Sequence, residues 1–220
     1  MDDASREALV PRYRFTGRAE GDLAPGALGV DERRHALAPM PWTWLHQVHG
    51  AEVVVVDEPG AYVGARGDAA VTTTTGAVLC VTVADCAPVA LLGDGAVGVV
   101  HAGWRGLVAG VLGAAVEALA RLGAGPLRAV VGPCIGPSCY EFGADDLETL
   151  QSVLGPDVAA RSREGRPALD LVAGVRSGLA AAGVEQCEAL GVCTACSHEH
   201  WSHRRSATTS RQALVARVGP

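Results

Sequence analysis

Two histidines and a cysteine stand where short apolar runs end in this 220-residue chain, and together they could hold one catalytic metal ion. The segment LHQVHGAEVVVV carries His46 and His49 ahead of a β-branched run. VTVADCAPVALL places Asp85 and Cys86 between two apolar runs, and AVGVVHAGWRGLVAG ends another with His101. Strand ends are where sites in α/β-type folds are usually assembled. His49, Cys86 and His101 offer two imidazoles and a thiolate with a fourth position open to water, the composition of catalytic rather than structural zinc. A metal so held brings the pKa of a water to about 7 and supplies a nucleophile at neutral pH. Any one of these residues alone reads as core packing. Three in matching contexts read as a site. His46 and Asp85 are candidates for proton transfer or for orienting an imidazole, because a ligating histidine needs a partner on its other nitrogen.

Arginines supply the second kind of chemistry. Arg105, between glycines at an expected helix start, could hold a phosphate or carboxylate through its planar fork and the free backbone N–H groups there. SHRRSATTSR gathers His203, Arg204, Arg205 and Arg211 among hydroxyl residues, a second half for an anion pocket. Taken alone, Arg105 reads as a surface ion pair and the basic run as a solvated face. Cys193 and Cys196 form a C-x-x-C followed by His198, His200 and His203. The preferred reading leaves that pair without metal, because only one C-x-x-C exists and histidines so close behind it would strain a tetrahedral site. Cys134 and Cys139, in GPCIGPSCYEF, read as structural residues of a Gly/Pro loop.

Composition narrows the classes. Hydrophobic residues make up 49% and charged residues 19%, which fits a globular chain, and the length fits a single domain over residues 1–220. All 18 basic residues are Arg, and neither Lys nor Asn occurs. That removes Schiff-base and phosphate-loop lysines and a Cys-His-Asn triad. A net charge of −6 without a basic run gives no footprint for nucleic acid. No apolar run is long enough to cross a bilayer, and the acidic start MDDASREALVPRYRF has no export-signal pattern, so a cytoplasmic protein with reduced cysteines is expected. The partners expected are small molecules, and the sequence leaves the oligomeric state open.

The elements that must position these residues follow from apolar spacing. Strands are predicted at EVVVVDE from Glu52, at Ala77 to Val83, at APVALL, AVGVV and LRAVV, with CEALGVC as the last. Helices are predicted over Leu107 to Arg121, Gly143 to Leu154 and Ala168 to Ala182. Residues 17–40 and 156–167, rich in Gly, Pro and charge, read as loops. Strands and helices mix without strict alternation, which predicts an α+β fold of mixed sheets flanked by helices.

The segments HQVHG, GDAAVT, VTVADCAPV, HAGWRG, GPCIGPSCYEF, LGVCTAC and SHRR, in this order, resemble the bacterial laccase-domain family. That family is also called polyphenol oxidase, purine nucleoside phosphorylase or peptidoglycan editing factor. The resemblance runs from about Arg14 to Arg217. It implies an α+β fold and zinc on His49, Cys86 and His101. It also implies phosphorolysis of adenosine, guanosine, inosine and methylthioadenosine, together with adenosine deamination. Phe15, Thr16 and Arg18 match the family's N-terminal motif, but its Asn-containing part is gone. Ser206 and Ser210 replace the family's Asp and Gly, and Val175 stands before Arg176 where the family often has Asn.

Two other chemistries compete. The same donors resemble the equatorial set of a blue-copper centre, so copper could occupy the zinc site. A multicopper oxidase, however, needs more imidazoles than the seven histidines provide. The other is a metal-free hydrolase with Cys86 as nucleophile and His101 as base; the family's editing-factor name implies that its substrate is an amide in a peptidoglycan precursor. A binding module without chemistry is the remaining reading.

Overall fold

A computed structural model describes residues 10–219, so the acidic first nine residues, part of the segment read as lacking an export signal, and Pro220 lie outside the described residues. The strands are β1 (Pro11–Phe15), β2 (Trp42–His46), β3 (Val53–Val55), β4 (Ala65–Arg66), β5 (Ala69–Thr72), β6 (Val78–Val83), β7 (Ala87–Gly93), β8 (Ala96–Ala102), β9 (Arg128–Val131), β10 (Ala159–Arg161), β11 (Pro167–Leu169), β12 (Gln186–Ala189) and β13 (Gln212–Val218). The helices are α1 (Val30–Leu37), α2 (Trp104–Val108), α3 (Val111–Arg121), α4 (Ala144–Leu154), α5 (Leu171–Ala181) and α6 (His203–Ser206).

Two mixed sheets form the centre. One runs β1-β13-β6-β2-β4, the other β12-β9-β7-β8-β5-β3, and β10 and β11 pair apart from both. The sheets pack face to face: Leu79, Val81, Leu214 and Ala216 of the first share a core with Ala90, Val97, Val99 and Val130 of the second. Their neighbours along each strand face outward and are buried too. Val89, Leu91 and Val100 pack under α3, α4 and α5, while Val78, Cys80 and Val215 pack under α1. Because successive strand residues alternate faces, cover on both sides makes β6, β7 and β8 continuous apolar runs. The α+β expectation holds.

Several element boundaries differ from the sequence reading. The helix expected over Leu107 to Arg121 is two helices, broken where Gly110 takes the left-handed conformation (φ 84°) that side-chain-bearing residues disfavour. The helix expected from Ala168 starts at Leu171, where Asp170 caps it by accepting from Ala173 N at 2.9 Å, and the residues before it form β11. The loop expected at 17–40 contains α1, and β10 lies inside the loop expected at 156–167. The C-terminal strand is β13, not CEALGVC. Among the described residues, no helix is long and apolar enough to cross a membrane.

Candidate metal centre

Antiparallel pairing of β7 with β8 sets the centre's floor. Pro88 lies opposite His101, so Cys86, two residues before Pro88, reaches the same end of the sheet as the imidazole. His101 shares its face with Val97 and Val99, the face turned toward the other sheet. From that other sheet, the turn after β2 brings in His49. Gln47 ties this turn to β6, donating to Thr82 O (2.8 Å) and accepting from Thr82 N (2.8 Å). The donor atoms of His49, Cys86 and His101 all lie within 4.8 Å of one another. His49 Nε2 is 3.9 Å from Cys86 Sγ, and the two imidazoles meet edge to face at 4.8 Å.

The residue that holds this arrangement is Asp68, which the sequence reading did not single out. It is fully buried immediately before β5. Its Oδ1 accepts from His101 Nδ1 (2.8 Å) and His49 N (2.9 Å); its Oδ2 accepts from Gly50 N (2.7 Å) and Val48 N (3.2 Å). One carboxylate thus fixes the His49 turn, whose φ of 60° is unusual for a residue with a side chain, and the tautomer of His101. Burial opposes the charge on Asp68, yet the His101 and backbone bonds hold its pKa below the ordinary value. With Nδ1 occupied, Nε2 of His101 is the nitrogen left for a ligand. Space is provided as well: a Cβ on Gly103 would stand 3.0 Å from both Cys86 Sγ and His49 Cδ2. Two imidazoles and a thiolate, one imidazole oriented by a carboxylate, fit a borderline-soft cation such as zinc.

Without metal the same atoms form an ion pair. Burial would raise the Cys86 thiol, but the neighbouring imidazoles, His101 foremost, bring it down to about 6. Burial likewise disfavours the charge on His101, and Cys86 with Asp68 outweighs it, raising His101 to about 9. A depressed thiol pKa means the thiolate persists downward through pH 7 and is lost below about pH 6. Alkylation of Cys86 in the chelated protein should therefore have a pH midpoint near 6, against about 8.5 for an ordinary thiol. Peptide mass mapping of iodoacetamide-treated protein measures it, and a midpoint near 8.5 would exclude the ion pair.

The other expected site residues divide. His46 ends β2 and lines a cleft of about 500 Å³ together with His49, Cys86, His101, Arg204 and Arg211. Asp85 also borders the cleft, but its carboxylate serves the C-terminal segment and not an imidazole: Oδ1 accepts from Thr194 Oγ1 and Oδ2 from Arg204 N, both at 2.6 Å. These bonds hold Asp85 at a φ of 95°, a strained value worth about 1–3 kcal/mol. Arg204 lies over the Tyr140 ring at 4.9 Å, and Arg211 donates to Thr208 O and Ser210 O. Arg205 was expected in the anion pocket. Instead it donates to the carbonyls of Ala195, Ser197 and His200, and it is not among the cleft's lining residues. Arg105 is exposed over its own Trp104 ring at 4.3 Å, also off the cleft wall. Tyr140, a cleft residue the sequence reading passed over, has its hydroxyl pKa raised to about 12 by burial and the Cys86 thiolate, so it remains a donor.

Residues 30–218 match the family described as multi-copper polyphenol oxidoreductase laccase. The chain belongs to this laccase family. A Streptomyces coelicolor relative named purine nucleoside phosphorylase is 44% identical over 201 residues, 89% of this chain and 79% of that protein. An Escherichia coli relative, purine nucleoside phosphorylase YfiH, is 38% identical over 194 residues, 84% of this chain and 79% of that protein. Among solved structures, YlmD from Geobacillus stearothermophilus superposes with a TM-score of 0.79 at 28% identity, covering 95% of this chain and 90% of that one. A Neisseria meningitidis protein gives 0.81 at 27% identity, covering 90% and 86%. Among the described residues, three-donor groups occur twice, and one of them consists of cysteines alone.

Proposed function

We propose that this laccase-family chain is a zinc-dependent purine nucleoside enzyme. In this reading it phosphorolyses adenosine, guanosine, inosine and methylthioadenosine and deaminates adenosine. The observation that carries the reading is the convergence of His49, Cys86 and His101 at a cleft of about 500 Å³, with Arg204 and Arg211 on its wall. The relatives named purine nucleoside phosphorylase support it. His49, Cys86 and His101 would hold the zinc, which when bound supplies a Lewis acid that activates water near neutral pH. Copper in the same three-residue site would account for oxidase activity.

The chain's own residues have separate tasks in this reading. Asp68 keeps His101 in one tautomer. Arg204 and Arg211 bind phosphate, since guanidinium forks match such anions. His46, which lines the cleft, would move a proton to the departing base.

The test is metal analysis of the purified protein with product identification from adenosine, with and without phosphate. Phosphate-dependent adenine and phosphate-independent inosine, both abolished by chelation, are the expected result. Phenol turnover with bound copper, and none of adenosine, would overturn it. Arg204→Ala should keep its zinc and raise KM for phosphate tenfold or more, as expected for losing a charge-assisted bond of about 1.5–3 kcal/mol, while deamination changes less. Arg105→Ala should act in the same direction but less, because its guanidinium stands off the cleft wall. Equal loss of both activities in Arg204→Ala would assign that residue to the nucleoside instead.

A second reading is favoured by one observation, the line from Asp68 through His101 to Cys86. Metal-free, it is a carboxylate, an imidazolium and a thiolate in the order of a cysteine hydrolase acting on an amide, such as one in a peptidoglycan precursor. Chelation separates the two readings, since it should inactivate the zinc enzyme and spare the hydrolase.

A further inference from the structure

Away from the His/Cys/His centre, three sulfurs converge from two segments. Cys139 closes the short 3-10 turn Pro137–Cys139, and Cys193 and Cys196 bracket a turn beyond β12. Their sulfur atoms lie within 4.8 Å of one another, with Cys139 and Cys196 at 3.3 Å across a sequence separation of 57. Along the sequence the C-x-x-C has only the nearby histidines as further donors, and they follow too closely to complete a tetrahedral site. The structure supplies Cys139 instead.

The backbone is shaped for this. Cys196 N and Ser197 N donate to Cys193 O at 3.2 and 2.9 Å, folding the turn back over Cys193, and Gly136 N donates to Cys193 Sγ at 3.2 Å. An N–H aimed at sulfur favours the thiolate. The two segments are laced beside the sulfurs by Cys134 N to Val192 O (3.2 Å) and Thr194 N to Cys134 O (3.0 Å). A tetrahedral zinc with Zn–S of about 2.3 Å spaces its sulfurs roughly 3.8 Å apart. That spacing falls within the spread of this cluster.

We propose that Cys139, Cys193 and Cys196 form a second metal site, a three-thiolate site for Zn²⁺ with water completing the tetrahedron on its exposed side, that ties the Tyr140 loop to the Thr194 turn. Three thiolates around a dication leave one negative charge. Arg163 Nη2 stands 3.8 Å from Cys196 Sγ; in the hollow beside Cys139, Arg166 is paired with Glu141, which leaves Arg163 as the cation beside the sulfurs to offset the surplus. The thiol protons leave to solvent on binding. The consequence reaches the cleft, because Tyr140 lines it and Thr194 holds Asp85, next to Cys86.

The test uses the full-length chain, reduced and purified anaerobically, with His49→Ala and Cys86→Ser to silence the first centre. After Zn²⁺ loading and gel filtration, this double variant should retain about one zinc per chain. The zinc should slow alkylation of Cys139, Cys193 and Cys196 roughly tenfold or more while leaving Cys187 unchanged. Adding Cys196→Ser, at an exposed position, should abolish both effects without altering the circular dichroism. Absence of zinc from the folded double variant overturns the proposal. So does a Cys139–Cys196 disulfide in the anaerobic protein, which would make the cluster a redox pair. The site does not depend on the first centre: zinc on the triad alone would support it while overturning the proposed function.

Discussion

Cys86→Ala is expected to lose one equivalent of zinc relative to the parent protein and nearly all turnover, while its unfolding transition stays close to that of the parent. Cys86 belongs to none of the hydrophobic clusters and precedes β7, so its sulfur contributes a ligand more than it contributes packing. A catalytic zinc has only three protein ligands, and removing one leaves two donors for an ion that is held well by three or four. His49→Ala should behave in the same way, because His49 is exposed and its turn is fixed through backbone N–H groups that the substitution leaves in place. His101→Ala differs. It removes a ligand and also leaves the buried Asp68 carboxylate without its cationic partner, at a cost of about 3–5 kcal/mol. The three variants therefore separate metal binding from stability. Metal analysis of the gel-filtered proteins with thermal melts reads both, and full retention of the parent's zinc in Cys86→Ala would remove Cys86 from the ligand set.

How far the sequence revealed this centre depends on the range of each interaction. His49, Cys86 and His101 were legible because a metal-binding side chain at the end of an apolar run is a local pattern, and three such patterns coincide. Asp68 was not. Its partners are spread from Val48 to His101, and no spacing rule connects an aspartate in GDAAVT with an imidazole 33 positions later. Cys139 escaped for the same reason, since it meets Cys196 only after the Gly/Pro loop and the C-terminal turn are laced together. The strands of both sheets' centres were legible as continuous apolar runs, whereas β1 and α1, with half or more of their residues exposed, carried little signal. Gly110 breaks a helix in the middle of an apolar stretch where nothing in composition marks the break. Asp170 did carry a readable signal, an aspartate three residues before the N–H it caps, and reading it would have set the start of α5 correctly.

Asp68→Asn is expected to keep the fold and lower zinc affinity 10- to 100-fold, the usual effect of losing a ligand histidine's carboxylate partner. Donor and acceptor numbers at this carboxylate decide the outcome. Both Asp68 oxygens accept, one from His101 and His49, the other from Val48 and Gly50. An amide has only one accepting oxygen, so its NH₂ group must confront N–H donors on one side or the other. If the NH₂ faces His101, the imidazole moves its proton to Nε2, the nitrogen a metal would use. If it faces Val48 and Gly50, their N–H groups lose their acceptor and the turn carrying His49 shifts. Either outcome weakens the same three-ligand site, through different ligands. Asp68→Ala goes further. It leaves the imidazole N–H and three backbone N–H groups without an acceptor at a fully buried position, each worth about 1–3 kcal/mol, which approaches the whole stability of a typical domain. That variant should therefore melt far earlier or fail to fold, and only the Asn variant isolates the orienting role. Competition against a chromophoric chelator measures the affinity, and the readout is specific because a packing role for Asp68 would lower the melting temperature without moving the zinc constant. An Asp68→Asn protein that binds zinc as tightly as the parent would show that His101 does not depend on Asp68 to present Nε2.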